Sequence, residues 1–453
     1  MLVGTILGSG AVFAEGSVTI VALPAIAREL HLGVAGLQWV VNGYLLTLSA
    51  LILLGGALGD RFARRRVFAV GLAAFAIASI ACALAPNLPL LVVARVLQGA
   101  AGAAVVPNSL ALLETAFSGN ERGTAVGHWA AWSAVSSAFG PLVGGWLVDA
   151  ASWRWVFVCV VPLAAAAILA VGWAGDTRPS GARRASVDYA GAALVTLGLA
   201  GLVGALMMGP DAGFTQPAVM AALVGGVALL FAFIALERRA RTPLLPTDVF
   251  RVRAFTGVNV VTLVVYAALN GLFFLLMLQL QAAMGYSALR AGASLLPINV
   301  LMLVLSPLAG RRAARVGPRW PMVMGSLIAG VGMLLFTRVK PGASYVTSVL
   351  PAAIVFGIGL ACFVAPLTSV ALGALGEERA GLASGVNNAV ARLAGALAVA
   401  AIPLAAGLGG QHELNAASVS AGFGRAMLIC AALCAAGSAI ASVTISRSTS
   451  VSC

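Results

Sequence analysis

At 453 residues, with 61% apolar types, 9% charged residues and a mean hydropathy of +1.03, the chain carries more apolar surface than a soluble interior can hide. That composition excludes a row of soluble domains, a disordered chain, a collagen and a coiled coil, and leaves a polytopic membrane protein. The net charge of +13 does not mark a nucleic-acid partner, because the arginines are scattered over many short loops with no basic face interleaved with aromatics.

A membrane span needs about 20 mostly apolar residues. In chain order such runs lie at 2–26, 38–58, 67–85, 90–113, 126–148, 155–174 and 189–208, then at 218–236, 256–282, 291–309, 321–337, 346–372, 382–407 and 424–445. The first is read as a span rather than a cleaved leader, since it is long, lacks a basic flank and carries Glu15 and Pro24. Its start at Met1 without a polar tail implies either a natural start upstream or insertion directed by later loops. The fifth and sixth runs are separated by Asp149 to Arg154, which includes Trp153. Spans 7 and 8 have charges only at their ends, Asp188 and Glu237, and are expected to stay out of a substrate cavity.

Charge placement supports fourteen spans. With a cytoplasmic N-terminus, the basic residues outside spans divide 19 to 6 in favour of cytoplasmic loops, and Arg95 and Arg392 fall inside spans. The cytoplasmic set includes Arg178, Arg183, Arg184, Arg241 and Arg447. This is the positive-inside pattern, so both termini are expected in the cytoplasm. Cys82, Cys159, Cys362, Cys430, Cys434 and Cys453 read as small apolar residues or chain end, and His31, His128 and His412 are scattered, so no metal cluster is expected.

Two stretches echo each other. Gly56-Ala-Leu-Gly-Asp60-Arg61-Phe-Ala-Arg64-Arg65 after span 2 matches the segment from Gly310 through Arg315 to Arg319 after span 10, at an offset of 254. Glu121-Arg122 before span 5 matches Glu378-Arg379 before span 13, with the arginines 257 apart. Each echo joins spans eight apart. Spans 1–6 and 9–14 are therefore read as duplicated halves, with spans 7 and 8 inserted, giving domains at 1–174, 175–255 and 256–453.

Glu15 is the one acid placed mid-span. An ionised carboxylate there must be protonated, paired or wet. A carboxyl in a dry site holds its proton and one beside a cation gives it up, so an alternating environment makes a proton carrier. Arg95 is the cation in the spans of the same half, with Ser17 and Thr19 as nearby hydrogen-bond partners for Glu15. From the residues alone two readings stand: a proton carrier tuned by Arg95, or a static pair that locks helix packing. Gly140, Gly144 and Gly145 form a small-residue face, with Pro141 favouring a kink. Asp60 and Arg64 are spaced to pair. Tyr44, Trp132, Asn270, Gln279, Gln281 and Arg392 are candidates for a substrate cavity, with packing as the alternative for the aromatics and lipid-edge or backbone contacts for Arg392. No Gly-x-x-x-x-Gly-Lys-[Ser/Thr] loop is present, so an ion gradient rather than ATP is the expected energy source.

The motifs resemble the major facilitator superfamily, and within it the fourteen-span drug:proton antiporters. Gly56 to Arg66 is similar to the superfamily's loop signature, Arg95-Val-Leu-Gln98-Gly99 to its R-x-x-Q-G motif, Gly140-Pro141-Leu-Val-Gly144-Gly145 to the antiporter motif, and Trp153-Arg154-Trp155 to a segment of the fourteen-span group. The resemblance implies an all-α membrane protein of 14 transmembrane helices in two six-helix halves with two inserted. It implies proton coupling at Glu15 and Arg95, a loop latch at Gly56, Asp60, Arg61 and Arg64, and a hinge and proton seal at Gly140, Pro141, Gly144 and Gly145. The implied function is proton-driven export of amphiphilic drugs, antibiotics or a secondary metabolite across a bacterial cytoplasmic membrane, without enzymatic activity, cofactor or metal. Its partners are then a small amphiphilic substrate, protons and the lipid bilayer, and a monomer is expected. A proton-coupled uptake symporter and a membrane-embedded enzyme are the rival readings. The antiporter motif disfavours the first, and the lack of paired acids or a metal cluster disfavours the second. Four positions depart from the family pattern: Glu15 for Asp, Ala63 for Gly, Val160 for Asn, and Ala314 where the first loop copy has Asp60.

Overall fold

A computed structural model describes residues 1–173, 188–240, 243–376, 379–410 and 415–446. The expectations placed on Arg178, Arg183, Arg184, Arg241, Glu378, His412, Arg447 and Cys453 lie outside the described residues.

In hydrocarbon each backbone N–H and C=O must find its partner within the protein, and a helix does this within one segment. The described residues hold no strand. The long helices are α1 Leu2–Leu30, α2 Val34–Phe62, α3 Arg64–Leu84, α4 Leu88–Ala116, α5 Gly119–Ala150, α6 Trp155–Trp173 and α7 Tyr189–Ala212, then α8 Pro217–Glu237, α9 Arg253–Ala283, α10 Ala288–Val316, α11 Arg319–Phe336, α12 Tyr345–Gly373, α13 Ala380–Ala405 and α14 Ala416–Thr444. Thirteen of them are long and apolar enough to cross a membrane. The exception is α5, whose 32 residues reach about 48 Å, well past the ~30 Å of a hydrocarbon core. It falls short in apolarity because His128, Trp129, Trp132, Ser133, Ser136 and Ser137 share its length with several glycines.

The helices outrun the apolar runs. α1 continues through Arg28 and Glu29, and α5 begins before Glu121 and Arg122. Apolarity marks the hydrocarbon part of a helix, while its hydrogen-bond ladder continues into the polar interface. Several ends are fixed by side chains. Asn87 accepts from the Leu90 N–H, Asp188 from Gly191 and Asn415 from Ala417, each satisfying a first-turn donor. His31 closes α1 in a left-handed conformation, φ 55°.

Four spans are irregular in ways that apolar run length does not anticipate. α6 is interrupted at Cys159, three residues before Pro162, whose missing N–H breaks the ladder. α9 ends and α12 begins with a π-turn, at Gln279–Ala283 and Tyr345–Val349. α10 breaks after Ala293 and resumes at Leu296, with Pro297 in its first turn.

The described residues form two compact units: unit 1 is Met1–Pro246 with Ser287–Leu289, and unit 2 is Thr247–Tyr286 with Arg290–Cys453. In unit 1, α1 packs on α5 and α6, α2 on α4, and α3 on α4 and α6. In unit 2, α9 packs on α13 and α14, α10 on α12, and α11 on α12 and α14. Every one of these pairings recurs with its helix numbers raised by eight. α7 and α8 pack on each other, and α7 lies on α2, where the Asn42 amide contacts Met207 Sδ at 3.2 Å. The inserted helices thus fall in unit 1, whose main segment ends at Pro246.

Lipid tails are as apolar as leucine, so these helices associate through close packing rather than escape from water. α1 and α5 show how. A Cβ on Gly144 would lie 2.9 Å from Val18 Cγ1 and 3.0 Å from its carbonyl oxygen, and one on Gly140 would lie 2.0 Å from Ser17 Oγ. Gly140 and Gly144, two of the antiporter-like glycines, therefore form the contact surface for α1.

Candidate functional site

Tight contact of α1 and α2 with α4 brings two charges together in the interior of unit 1. Glu15 on α1 is 0% exposed and Arg95 on α4 is 1% exposed. Arg95 Nη1 donates to Glu15 Oε1. The same nitrogen donates to Gln98 Oε1 at 2.6 Å, and Nε donates to the Val40 carbonyl at 2.9 Å. The guanidinium carbon stands 4.5 Å from the centre of the Tyr44 ring and 5.7 Å from that of Phe157, so the cation also rests on aromatic faces. Tyr44 is held by its hydroxyl, which donates to the Val12 carbonyl at 2.9 Å. Gly99 permits the approach of α2: a Cβ there would lie 2.3 Å from the Tyr44 carbonyl oxygen.

A second layer fixes the first. Gln98 donates from Nε2 to Ser79 Oγ at 2.8 Å, and Ser79 donates to the Phe75 carbonyl at 2.7 Å. Thr19 donates to Glu15 Oε1 at 2.7 Å. Ser17 does not join them; it donates to the Ala14 carbonyl and faces Gly140. All the donors converge on one carboxylate oxygen. The other, Glu15 Oε2, is buried with no hydrogen-bond partner. An unsatisfied buried acceptor costs about 1–3 kcal/mol, more when charged. The arrangement therefore holds the acid against a cation through one oxygen and leaves the other oxygen without a donor.

The other sequence candidates fall in separate places. Asp60 Oδ1 accepts from Arg64 Nη2 at 2.8 Å and Nε at 3.1 Å, and Arg64 Nη1 reaches the Ala111 carbonyl on α4 at 3.2 Å. Gly56 faces Pro107 with ordinary clearance, and Arg61 is exposed beside the Phe62 ring. Pro141 lies within α5, and a Cβ on Gly145 would meet the Ala288 carbonyl oxygen at 2.5 Å, in the short segment that packs with unit 1. Tyr44 is fully buried, with its ring against the Arg95 guanidinium. Trp132 is 53% exposed.

In unit 2, Gln279 is also fully buried, its amide donating to the Val339 carbonyl at 2.8 Å and to Ser420 at 3.2 Å. Asn270 is turned back on its own helix, donating to the Tyr266 carbonyl. Gln281 and Arg392 are half-buried, and Arg392 interacts electrostatically with Tyr266. Arg379 pairs with Asp248 at 2.9 Å and holds that exposed carboxyl below its usual range.

Three polar groups escape the sequence reading. Glu29 accepts from Trp153 Nε1 at 2.6 Å and pairs with Arg154, tying the end of α1 to the start of α6. Trp129 donates to Ser9, which donates to Ser109 on α4. Asn387 on α13 donates to Asn259 and Thr262 on α9. Glu29 is foreshadowed by an acid at the end of a span opposite a Trp-Arg loop; the others give no local signal.

The family model of the Major Facilitator Superfamily matches residues 5–399. The chain belongs to the Major Facilitator Superfamily. It is a multi-pass membrane protein of that superfamily, and several of its relatives carry resistance names. The puromycin resistance protein pur8 of Streptomyces alboniger is 37% identical over 85% of this chain and 77% of its own length. The tetracenomycin C resistance and export protein of Streptomyces glaucescens is 33% identical over 88% and 74%. The methylenomycin A resistance protein of Bacillus subtilis (strain 168) is 32% identical over 87% and 85%. Among solved structures, a POT family transporter in complex with a thioalcohol-conjugated peptide superposes with a TM-score of 0.70, covering 97% of this chain and 94% of that one at 13% identity. That likeness speaks to the superfamily fold.

Proposed function

We propose that the chain exports an amphiphilic drug, antibiotic or secondary metabolite across a bacterial cytoplasmic membrane in exchange for protons, by alternating access. The Glu15–Arg95 pair, buried and with Glu15 Oε2 unpartnered, is the observation that carries the coupling. The resistance names of the relatives support the cargo class. In this reading both termini are cytoplasmic, the working form is a monomer, and the proton gradient takes the place of any cofactor. Protonation of Glu15 weakens its hold on Arg95 and frees the α1–α4 contact to change. Deprotonation restores the pair.

The test is proton-driven efflux in vesicles, normalised to protein in the membrane. Glu15→Gln preserves shape and removes titration. Gradient-driven efflux should fall at least tenfold while substrate binding persists, and Glu15→Asp should keep part of the activity. Full gradient-driven efflux by Glu15→Gln removes Glu15 from coupling. A static structural pair would instead lower the amount of protein and leave coupling per molecule intact.

A further inference from the structure

Two acids meet where α7 begins and α8 ends. Asp188 caps α7, its Oδ1 accepting from the Gly191 N–H at 2.8 Å. Glu237 is 3% exposed, and its Oε2 accepts from the Leu245 N–H at 3.1 Å. The second oxygen of each, Asp188 Oδ2 and Glu237 Oε1, is buried without a hydrogen-bond partner. Both face one point: a Cβ on Gly191 would lie 2.5 Å from Asp188 Oδ2 and 3.2 Å from Glu237 Oε1. The glycine leaves that space clear, and the two orphan oxygens share it.

The surrounding elements supply no cation among the described residues. Arg238 and Arg239, which follow Glu237, are exposed, and Tyr189 is half exposed. The stretch at 243–246 carries no ionisable side chain. On α2, which packs against α7, Tyr44 is bonded to Val12, Asp60 to Arg64, and Arg61 lies exposed beside Phe62. Two carboxylates facing each other in a dry site repel strongly, and one proton between them removes the repulsion and satisfies both oxygens. A metal ion fits poorly, since calcium takes six to eight oxygen ligands and magnesium six, while the remaining oxygen of each acid is committed to a backbone N–H.

We propose that Asp188 and Glu237 form a proton-binding site in the inserted helices, separate from Glu15, in which one proton taken from water is shared as a carboxylic acid–carboxylate pair. The bound proton fastens the start of α7 to the end of α8 and, through Leu245, to the segment leading to the unit boundary. Its loss leaves two facing negative charges and opens this end of the helix pair.

A hydrophobic carbodiimide, which adds to protonated carboxyls in membranes, provides the test. The full chain in lipid vesicles is treated with dicyclohexylcarbodiimide at a series of pH values, and adducts are mapped by mass spectrometry. Wild type should carry an adduct on Asp188 or Glu237 at neutral pH that fades as pH rises. Asp188→Asn should cut the Glu237 adduct severalfold, because the remaining carboxyl loses the neighbour that kept it protonated. Glu15→Gln should leave the adduct unchanged, which separates this site from the coupling site. Absence of an adduct in wild type at every pH, or a Glu237 adduct indifferent to Asp188→Asn, overturns the proposal. The wild-type pH series stands even where a variant fails to fold.

Discussion

Ala63 occupies a backbone conformation that favours glycine, with φ 72° and ψ 117°. It turns the chain between α2 and α3 at the point where Asp60 and Arg64 pair. A side chain held in such a region costs on the order of 1–3 kcal/mol, partly offset by the greater freedom glycine has in the unfolded chain. Ala63→Gly should therefore raise stability by about 1 kcal/mol, seen as a higher thermal midpoint of the purified protein, and Ala63→Val should lower it. No gain in the glycine variant would mean that the turn carries no strain. The sequence exposes this position as a departure from a glycine pattern, but the positive φ that explains the pattern is visible only in the fold. The ion pair is legible for a similar reason. Glu15 and Arg95 stand out because each is a charge inside an apolar run, and Thr19 follows from helical spacing. Val40, Ser79 and Phe157 have no such signal, since they reach Arg95 or Gln98 from other helices through tertiary packing alone.

At the scale of helices, the α1–α5 seam makes a graded prediction. The nearest atom to a Cβ on Gly140 is the mobile Ser17 hydroxyl, whereas a Cβ on Gly144 meets Val18 carbonyl and Cα atoms, which cannot swing away. Overpacking a close contact costs typically ~1–3 kcal/mol. Gly144→Ala should therefore destabilise more than Gly140→Ala, and Ser17→Gly should rescue Gly140→Ala but not Gly144→Ala. Thermal midpoints of the four variants decide this, and equal losses at both glycines would contradict the geometry. Most helices were legible because apolar length is a direct readout of membrane thickness. Their ends were less so, because Arg28 and Glu29 continue a ladder beyond the apolar run. The π-turns at Gln279 and Tyr345 were hidden entirely, since a turn that slips by one hydrogen bond leaves no mark in composition.

Across the whole molecule, the eight-helix offset predicted from two loop echoes reappears in the helix pairings of the two units. The insert was legible as an interruption of the repeat, but its attachment was not, because the contact of α7 with α2 depends on which outer face of the bundle is free. The 19 to 6 division of basic residues makes the orientation testable. Reporter fusions after residue 213 should report the outer side and fusions at the C-terminus the cytoplasm. A C-terminus outside would require an odd number of crossings.

Arginine keeps its proton at any pH a cell meets. The Glu15–Arg95 pair is neutral as a carboxylate and a guanidinium, so in the proposed exchange a proton on Glu15 would leave one uncancelled positive charge buried in the membrane interior. That charge feels the electrical field across the bilayer, where a full crossing is worth about 2.3 kcal/mol per 100 mV. A step that shifts the protonated site even part of the way therefore responds to voltage as well as to acidity. With the same pH on both sides, an imposed potassium diffusion potential should bias the direction of export by the wild type, and Glu15→Gln, which leaves the guanidinium charged at all times and lacks the titrating partner, should lose that bias.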